Sequence, residues 1–192
     1  MEQVVLTTPL TTETVEELRC GQRVLLNGII YTARDAAHKK LIEYLEQGVK
    51  LPFNPDGQVI YYVGPAPAKP GMVIGSAGPT TSGRMDAYAS RLYEAGLKAT
   101  IGKGPRSAEV IQAMRRYKGV YLAAVGGAGA LIAKCIREAD VIAFPELGPE
   151  AVYALTVVDF PLIVVNDVSG RDLYKESAEQ YRIGRYSANN AG

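Results

Sequence analysis

The chain has 192 residues, 47% of them apolar, which is enough to bury one hydrophobic core and predicts a single domain over residues 1–192. Its 21 basic and 20 acidic residues form no long runs and give a net charge of +1, which disfavours nucleic acid and anionic membrane surfaces as partners. Because the sequence has neither 18 consecutive apolar residues nor a basic and apolar N-terminal leader, we expect a cytoplasmic protein.

The N-terminal third of the chain predicts strands mixed with helices. Alternating apolar residues indicate strands, whereas apolar positions three and four residues apart indicate helices. The predicted strands cover residues 3–8, 23–31 and 59–63, and the predicted helices cover residues 12–18 and 35–47.

From residue 72 onward the pattern becomes regular. Strands are predicted over residues 72–76, 98–102, 119–125 and 140–144, and helices over residues 82–95, 107–117 and 128–138. Such alternation is typical of a parallel sheet covered by helices. Two further strands, over residues 151–158 and 162–168, are expected to return toward the N-terminal strands. The predicted fold class is therefore α/β, with a helix-covered, mainly parallel sheet beside a small β-sheet or barrel. The polar residues 175–192 are expected to form a mobile tail.

The most informative motif is the run Gly75-Ser-Ala-Gly-Pro-Thr-Thr-Ser-Gly-Arg-Met-Asp86, between a predicted strand and a predicted helix. Backbone N–H groups without helical partners gather at such a junction, so Thr80, Thr81 and Arg84 indicate an anion site. The run differs from the phosphate-binding loop G-x-x-x-x-G-K-S/T, because Arg84 and Met85 replace the lysine and the magnesium-binding hydroxyl. A planar guanidinium suits a carboxylate fork, so the motif favours a carboxylate site over a nucleotide site.

Lys103 and Arg34 are the other candidate cations. Lys103 lies between two glycines at the carboxyl end of a predicted strand, where open α/β sheets bind ligands. Arg34 opens a predicted helix and could equally be an ordinary surface residue. Arg84 has an alternative as well, an ion pair with Asp86 or exposure to solvent.

These motifs, together with several other segments, resemble the C-terminal or beta region of class I iron–sulfur fumarases and the related L-tartrate dehydratases. The matching segments, in the same order along the chain, are Arg34-Asp-Ala-Ala-His-Lys39, Gly78-Pro-Thr-Thr-Ser-Gly-Arg-Met-Asp86, Ile101-Gly-Lys-Gly104, Tyr121-Leu122 with Gly126-Gly127, Pro145-Glu-Leu-Gly148 and Asp159-Phe-Pro161. The resemblance covers nearly the whole chain and implies a swivelling β/β/α domain.

The resemblance also implies roles for individual residues. Arg34, Arg84 and Lys103 match the carboxylate-binding set of the family, and Thr80 matches its proton-transfer residue. We interpret Thr81 as a hydrogen-bond donor to the substrate. The alternative for both threonines is that they only cap the helix.

Four further features carry weaker interpretations. His38 and Asp86 are expected to support the binding residues, although an early-helix histidine is more often structural. The run from Gly126 to Ala130 lacks the third glycine of a dinucleotide loop, so close helix–strand packing explains it adequately, although it could border the site. Glu146 is interpreted as a loop-fixing or subunit-contact carboxylate.

The expected function is that of the beta subunit of a heteromeric 4Fe-4S hydro-lyase that converts (S)-malate to fumarate. Cys20 and Cys135 are too few for a cluster and are expected to be buried, unpaired residues. The resemblance implies that the cluster belongs to an alpha subunit, and we expect an assembly of two alpha and two beta chains. The nearest alternative is dehydration of L-tartrate to oxaloacetate. A distant one is a non-enzymatic anion- or nucleotide-binding module.

Overall fold

The computed structural model describes the backbone of residues 3–189 and the side chains of residues 3–181. The described strands are β1 (Gln3–Thr7), β2 (Arg23–Thr32), β3 (Val59–Tyr61), β4 (Ala99–Gly102), β5 (Val120–Ala123), β6 (Ile136–Ala143) and β7 (Val152–Asn166). The described helices are α1 (Thr12–Glu17), α2 (Asp35–Glu46), α3 (Asp86–Glu94), α4 (Ala108–Tyr117), α5 (Gly129–Ala133) and α6 (Leu173–Asn189), with 3-10 helices at Ser82–Met85 and Pro145–Glu150.

The strands form one mixed sheet that closes on itself. Its order is β1-β2-β3-β4-β5-β7-β6, and β2 also pairs with β7, so that β2, β3, β4, β5 and β7 make a closed barrel. Strands β1 to β5 pair in parallel, whereas β7 runs antiparallel to β2, β5 and β6. The α/β class is confirmed, and the parallel strands are themselves part of the barrel wall.

The core has two layers, because successive side chains of a strand point to opposite faces. In β3, Val59 and Tyr61 join the cluster inside the barrel. Ile60 and the following Tyr62 join a second cluster, between the outer wall and helices α2, α3 and α4. Among the described helices, none is long and apolar enough to cross a bilayer.

Two predicted elements differ from the structure, and each difference has a physical reason. Residues 72–76 form no strand, because the backbone bends back so that Gly75 N–H donates to the Ala66 oxygen at 3.1 Å. The helix predicted over residues 128–138 ends at Ala133, because pairing with β7 draws residues 136–143 into β6.

The two predicted C-terminal strands are one long strand, β7. Asp159, with a φ of 52°, bends this strand without ending it, so the first half pairs with both β2 and β6 while the second half reaches β5. After β7, the backbone is helical over Leu173–Asn189, where the sequence predicted a tail. The mobility of that tail and the single-domain boundary stay predictions, and residues 190–192 lie outside the described residues.

Parallel pairing brings the carboxyl ends of β2, β3, β4 and β5 to the same end of the barrel. The segments that follow these strands contain the candidate residues.

Candidate functional site

The segment from Thr80 to Ser82 is inserted like a short strand between the ends of β3 and β4. Thr80 N–H donates to the Tyr62 oxygen at 2.7 Å, and the Thr80 oxygen accepts from Lys103 N–H at 3.2 Å. Ser82 N–H then donates to the Lys103 oxygen at 2.8 Å, which makes Thr81 and Lys103 a parallel bridge. Paired residues in neighbouring strands place their side chains on the same face, so Thr81 and Lys103 present their polar groups together.

The two threonines do not act as side-chain caps. Thr81 occupies the N-cap position of the 3-10 helix Ser82–Met85, yet its hydroxyl makes no capping hydrogen bond. Within the described part of the chain, the Thr80 hydroxyl also has no hydrogen-bond partner, while its backbone groups are both engaged. The capping alternative is therefore not what the geometry shows, and both hydroxyls are available to a ligand.

A row of alternating charges brings Arg34 and Arg84 together. Arg84 donates from Nε and Nη2 to the two carboxylate oxygens of Asp35, at 3.1 and 2.8 Å. Nη2 of Arg34 lies 4.0 Å from Asp35 Oδ2 and 3.5 Å from Glu150 Oε1. Asp35 therefore links the two cations, and Glu150 ends the row. The sequence interpretation quoted Asp35 only as part of a motif and missed Glu150, which has no local signal.

Arg84 keeps one hydrogen-bonding edge for a ligand. Asp35 occupies the side formed by Nε and Nη2, so the outer edge formed by Nη1 and Nη2 faces no acceptor in the described residues. The side chain is 52% exposed, which leaves that edge accessible. A guanidinium edge of this kind matches a carboxylate with two parallel hydrogen bonds.

Arg34 lies close against Gly64. A Cβ at Gly64 would lie 2.6 Å from Nη1 of Arg34 and 3.2 Å from the Pro149 oxygen. Any larger residue at this position would therefore displace the guanidinium. Nε of Arg34 is buried without a partner. The position of Arg34 is therefore set by the backbone of the segment after β3.

The glycine-rich segment after β5 borders the same region. A Cβ at Gly126 would lie 3.7 Å from Lys103 Cδ, and Ala77 N–H donates to the Gly129 oxygen at 3.1 Å. A Cβ at Gly129 would lie 2.5 Å from Ser76 Oγ, so this residue must be small. Close packing against residues 76–78 explains these glycines, and the segment also flanks Lys103.

His38 is buried behind Arg34. Its Nδ1 lies 2.9 Å from the Arg34 oxygen, which fits a neutral ring that donates from Nδ1, and its Nε2 is buried without a partner. The ring contacts Tyr62 edge-on, with centroids 5.2 Å apart. Burial, above all, lowers the pKa of His38 from its ordinary value of 6.5 to about 4. The contact supports the start of α2, and a catalytic contribution from His38 stays a prediction.

Asp86 is bound to Arg106 and not to Arg84. Its two carboxylate oxygens accept from Arg106 Nε at 2.7 Å and from Ser107 N–H at 2.6 Å. The Arg106 side chain is fully buried. The sequence interpretation missed this arginine, because a basic residue just before a helix is usually on the surface. Asp86 thereby fixes the segment after Lys103.

Glu146 pairs with Lys40 of α2, whose hydrogen bond is the main cause of the lowered pKa of Glu146. The exposed carboxylate thus ties the 3-10 helix Pro145–Glu150, which also contains Glu150, to α2. The contact agrees with a loop-fixing role.

The described residues do not fit an iron–sulfur cluster. Among them, no three His, Cys, Asp or Glu side chains come together as metal ligands. Cys20 and Cys135 are free, as expected, but they are only partly buried, where buried residues were expected. Burial raises the pKa of the Cys20 thiol to about 11, which disfavours the thiolate that a metal requires.

The family profile described as Fumarase C-terminus matches residues 1–177. The chain is 44% identical over 160 residues to Fumarate hydratase 2 of Leishmania major and 40% identical over 156 residues to the aerobic class I fumarate hydratase of Escherichia coli K12. It is 43% identical over 173 residues to the provisionally named L(+)-tartrate dehydratase subunit beta of Methanocaldococcus jannaschii.

These relatives differ in how much of their length the chain covers. The matches take in 82% and 80% of this chain but only 28% of each fumarate hydratase. The match to the archaeal subunit takes in 87% of this chain and 89% of that protein. The chain therefore spans little more than a quarter of the fumarate hydratases and nearly all of the archaeal subunit.

Proposed function

The chain belongs to the Fumarase C-terminus family, and from this premise we propose that it is the beta component of a hydro-lyase that dehydrates (S)-malate reversibly to fumarate. One observation carries the proposal: Arg34 and Arg84, joined through Asp35, follow strands at the same barrel end as the Thr81–Lys103 pair. A dicarboxylate needs a cation for each carboxylate, and these come from separate elements that meet only in the fold.

The proposed steps use this chain's own residues. The outer edge of Arg84 binds one substrate carboxylate through two hydrogen bonds, and Lys103 and Arg34 neutralise the remaining negative charge. Thr81 donates a hydrogen bond to a carboxylate oxygen. The neighbouring cations stabilise Thr80 as an alkoxide before the reaction, in a site closed from water. This alkoxide takes the proton from C3 and becomes a neutral hydroxyl, while the hydroxide lost from C2 would be accepted by the Lewis acid that the partner would supply.

The partner in this proposal is an alpha subunit that holds a 4Fe-4S cluster, in a cytoplasmic assembly of two alpha and two beta chains. Two facts support it: this chain's described donors do not fit a cluster, and the matched fumarate hydratases have much sequence outside the match. The small net charge supports a small anionic substrate over nucleic acid.

A second candidate is the beta component of an L-tartrate dehydratase. The coverage of 89% of the archaeal subunit favours it, because that relative has a similar length. The two substrates differ by one hydroxyl group, so the same cations would bind either one. A nucleotide-binding module is disfavoured because Met85 stands where a magnesium-binding hydroxyl would be needed, and the Met85 side chain is buried.

The first experiment assembles the full chain with a cluster-bearing alpha subunit under anaerobic conditions and measures the dehydration of malate and of L-tartrate. We expect turnover of one substrate by the assembly and none by either chain alone. Chelator-resistant turnover by this chain alone would refute the two-component proposal. Magnesium-dependent binding of ATP or GTP to the chain would favour the nucleotide alternative instead.

The second experiment tests Thr80 by exchange of the C3 hydrogen of malate with deuterated solvent in the assembly. We expect Thr80→Ala to lower exchange by roughly a hundredfold or more, the usual scale of general-base catalysis, and Thr80→Ser to recover part of it. Thr81→Val is the neighbouring control, which should weaken substrate binding more than exchange. Normal exchange in Thr80→Ala, with the protein folded, would move the base role to another group.

A further inference from the structure

A buried polar cluster lies directly beneath the two segments that carry the candidate residues. At its centre the Arg106 guanidinium lies between two aromatic rings, with its carbon 5.2 Å from the Tyr62 centroid and 5.1 Å from the Tyr121 centroid. Nη1 of Arg106 donates to the Tyr62 hydroxyl at 3.2 Å and to Thr100 Oγ1 at 2.9 Å. With the Asp86 contact to Nε, these bonds fix the guanidinium and hence the two rings.

The Tyr121 hydroxyl joins the two overlying segments. It donates to the Gly104 oxygen at 2.9 Å and accepts from Ser82 Oγ at 2.8 Å. Ser82 directly follows the two threonines, and Gly104 directly follows Lys103. Burial raises the pKa of Tyr121, so the phenol stays protonated and keeps its donor hydrogen. A single buried oxygen therefore bridges the threonine segment and the lysine segment.

Close packing leaves Ser82, one end of this bridge, little room to move. Ser82 lies so near Gly102 that any Cβ at Gly102 would collide with Ser82 Oγ. The Ser82 and Lys103 amides each donate to the opposite segment. A shift of Ser82 would therefore move Thr80 and Thr81 relative to Lys103.

We propose that Tyr121 is a positioning residue for the reaction, whose hydroxyl holds the Thr80–Ser82 segment against the Lys103–Gly104 segment at a fixed spacing. This role rests on the proposed function, because it matters for chemistry only if Thr80 and Lys103 act on one substrate. The Tyr121 ring is held in place by its contact with the Arg106 guanidinium, and its hydroxyl bonds to Ser82 and Gly104.

The test compares Tyr121→Phe with Tyr93→Phe, which loses an equally buried hydroxyl in the same cluster. The Tyr93 hydroxyl contacts Thr100 Oγ1 and the Val120 oxygen, both at 2.9 Å, and touches neither segment. Two readouts are measured: hydrogen exchange of the Ser82 and Lys103 amides in the full chain, and kcat and KM of the assembly.

We expect Tyr121→Phe to speed exchange of both amides by about tenfold and to lower kcat by about tenfold or more, because small displacements of reacting groups are costly. KM should change less than kcat. Tyr93→Phe should lower thermal stability to a similar extent while leaving both amides and kcat close to wild type. Ser82→Ala in the Tyr121→Phe background should add little, since both changes break the same link.

Unchanged amide exchange in Tyr121→Phe would overturn the proposal, as would the same change in Tyr93→Phe. Faster exchange with unchanged kcat would also overturn it, since the spacing would then have no effect on the reaction. Failure of the wild-type assembly to dehydrate either substrate would count against the proposed function, whereas the exchange data would still decide whether Tyr121 holds the segments.

Discussion

Two arginine–aspartate pairs lie near the same end of the barrel, and they differ in exposure. In the pair of Arg84 with Asp35 the side chains are 52% and 34% exposed, whereas in the pair of Arg106 with Asp86 they are 0% and 15% exposed. The outer pair leaves one guanidinium edge toward solvent. The buried pair uses its guanidinium to hold Tyr62 and Thr100 as well as Asp86.

The difference shows that burial decides whether an arginine–aspartate pair is suited to binding a ligand or to stabilising the fold. An exposed ion pair contributes little to stability, so Arg84 can give its free edge to a ligand without cost to the fold. Burying an ion pair costs free energy because both charges lose their contact with water, and removing one partner then leaves the other charge buried without compensation. We therefore expect the outer pair to serve binding and the buried pair to serve the framework.

The largest expected effect comes from breaking the buried pair. Arg106→Met should lower the free energy of unfolding by about 3–5 kcal/mol, because Asp86 loses its buried counter-ion. Arg91→Met is the matched control, since its pair with Glu94 is exposed, and it should cost less than about 1 kcal/mol. Urea unfolding of the full chain measures both. Equal losses in the two variants would show that burial does not separate the pairs.

His38 tests how strongly burial disfavours a charged imidazole ring. Because its pKa is about 4 in the folded chain and near 6.5 when unfolded, the unfolded state binds more protons between these values. Stability should therefore be complete above pH 6.5 and should fall toward pH 4, by up to about 1.4 kcal/mol for each pH unit.

The measurement for His38 is urea unfolding from pH 7 to pH 4, in wild type and in His38→Gln. Carboxylates titrate in both proteins, so the difference in slope isolates the histidine. Parallel curves would mean that His38 takes up its proton equally in the folded and unfolded states.

The outer pair is tested next by Arg84→Lys, which keeps the charge and loses the two-bond edge. We expect kcat/KM to fall roughly tenfold to a hundredfold, the scale of one charged hydrogen bond, with thermal stability nearly unchanged. Arg91→Lys serves as the surface control. A change within twofold would refute the two-bond assignment.

The smallest effect is expected for Asp35→Asn, which weakens the orientation of Arg84 without removing it. We expect kcat/KM to fall by about threefold to tenfold, chiefly through KM, with stability changed by less than about 1 kcal/mol. Tighter binding of substrate would instead mean that Asp35 competes with the substrate for Arg84.

The candidate residues could be named from the sequence because their motifs are local, and their roles stay predictions. Gly78-Pro-Thr-Thr-Ser-Gly-Arg-Met-Asp86 places two threonines and an arginine within five positions, so they lie close together although the strand predicted over residues 72–76 does not form. The pairing of Arg84 with Asp35 was missed, because the two residues are 49 positions apart in the sequence and come together only when β2 and β3 pair in the sheet. Arg106 was missed because its burial depends on the ring of Tyr62, just after β3, and the ring of Tyr121 in β5.

The apolar periodicity failed where partners were distant. The strand predicted over residues 140–144 is present, but pairing with β7 extends it back to Ile136, into residues predicted as the end of a helix. Residues 72–76 are apolar enough for a strand, yet Met72 and Val73 are exposed, and the backbone of Gly75 and Ser76 bonds to Ala66 in the preceding loop.

By itself the sequence determined the α/β class and most of the alternation of strands and helices, and it predicted the residue types of a carboxylate site, since these follow from local spacing and composition. Only the tertiary structure decided the closure of the barrel through β2 and β7, the ionic row linking Arg34 to Arg84, and the burial of Arg106. These features depend on contacts between residues far apart in the chain. Such contacts form only once the strands have paired and water has been excluded.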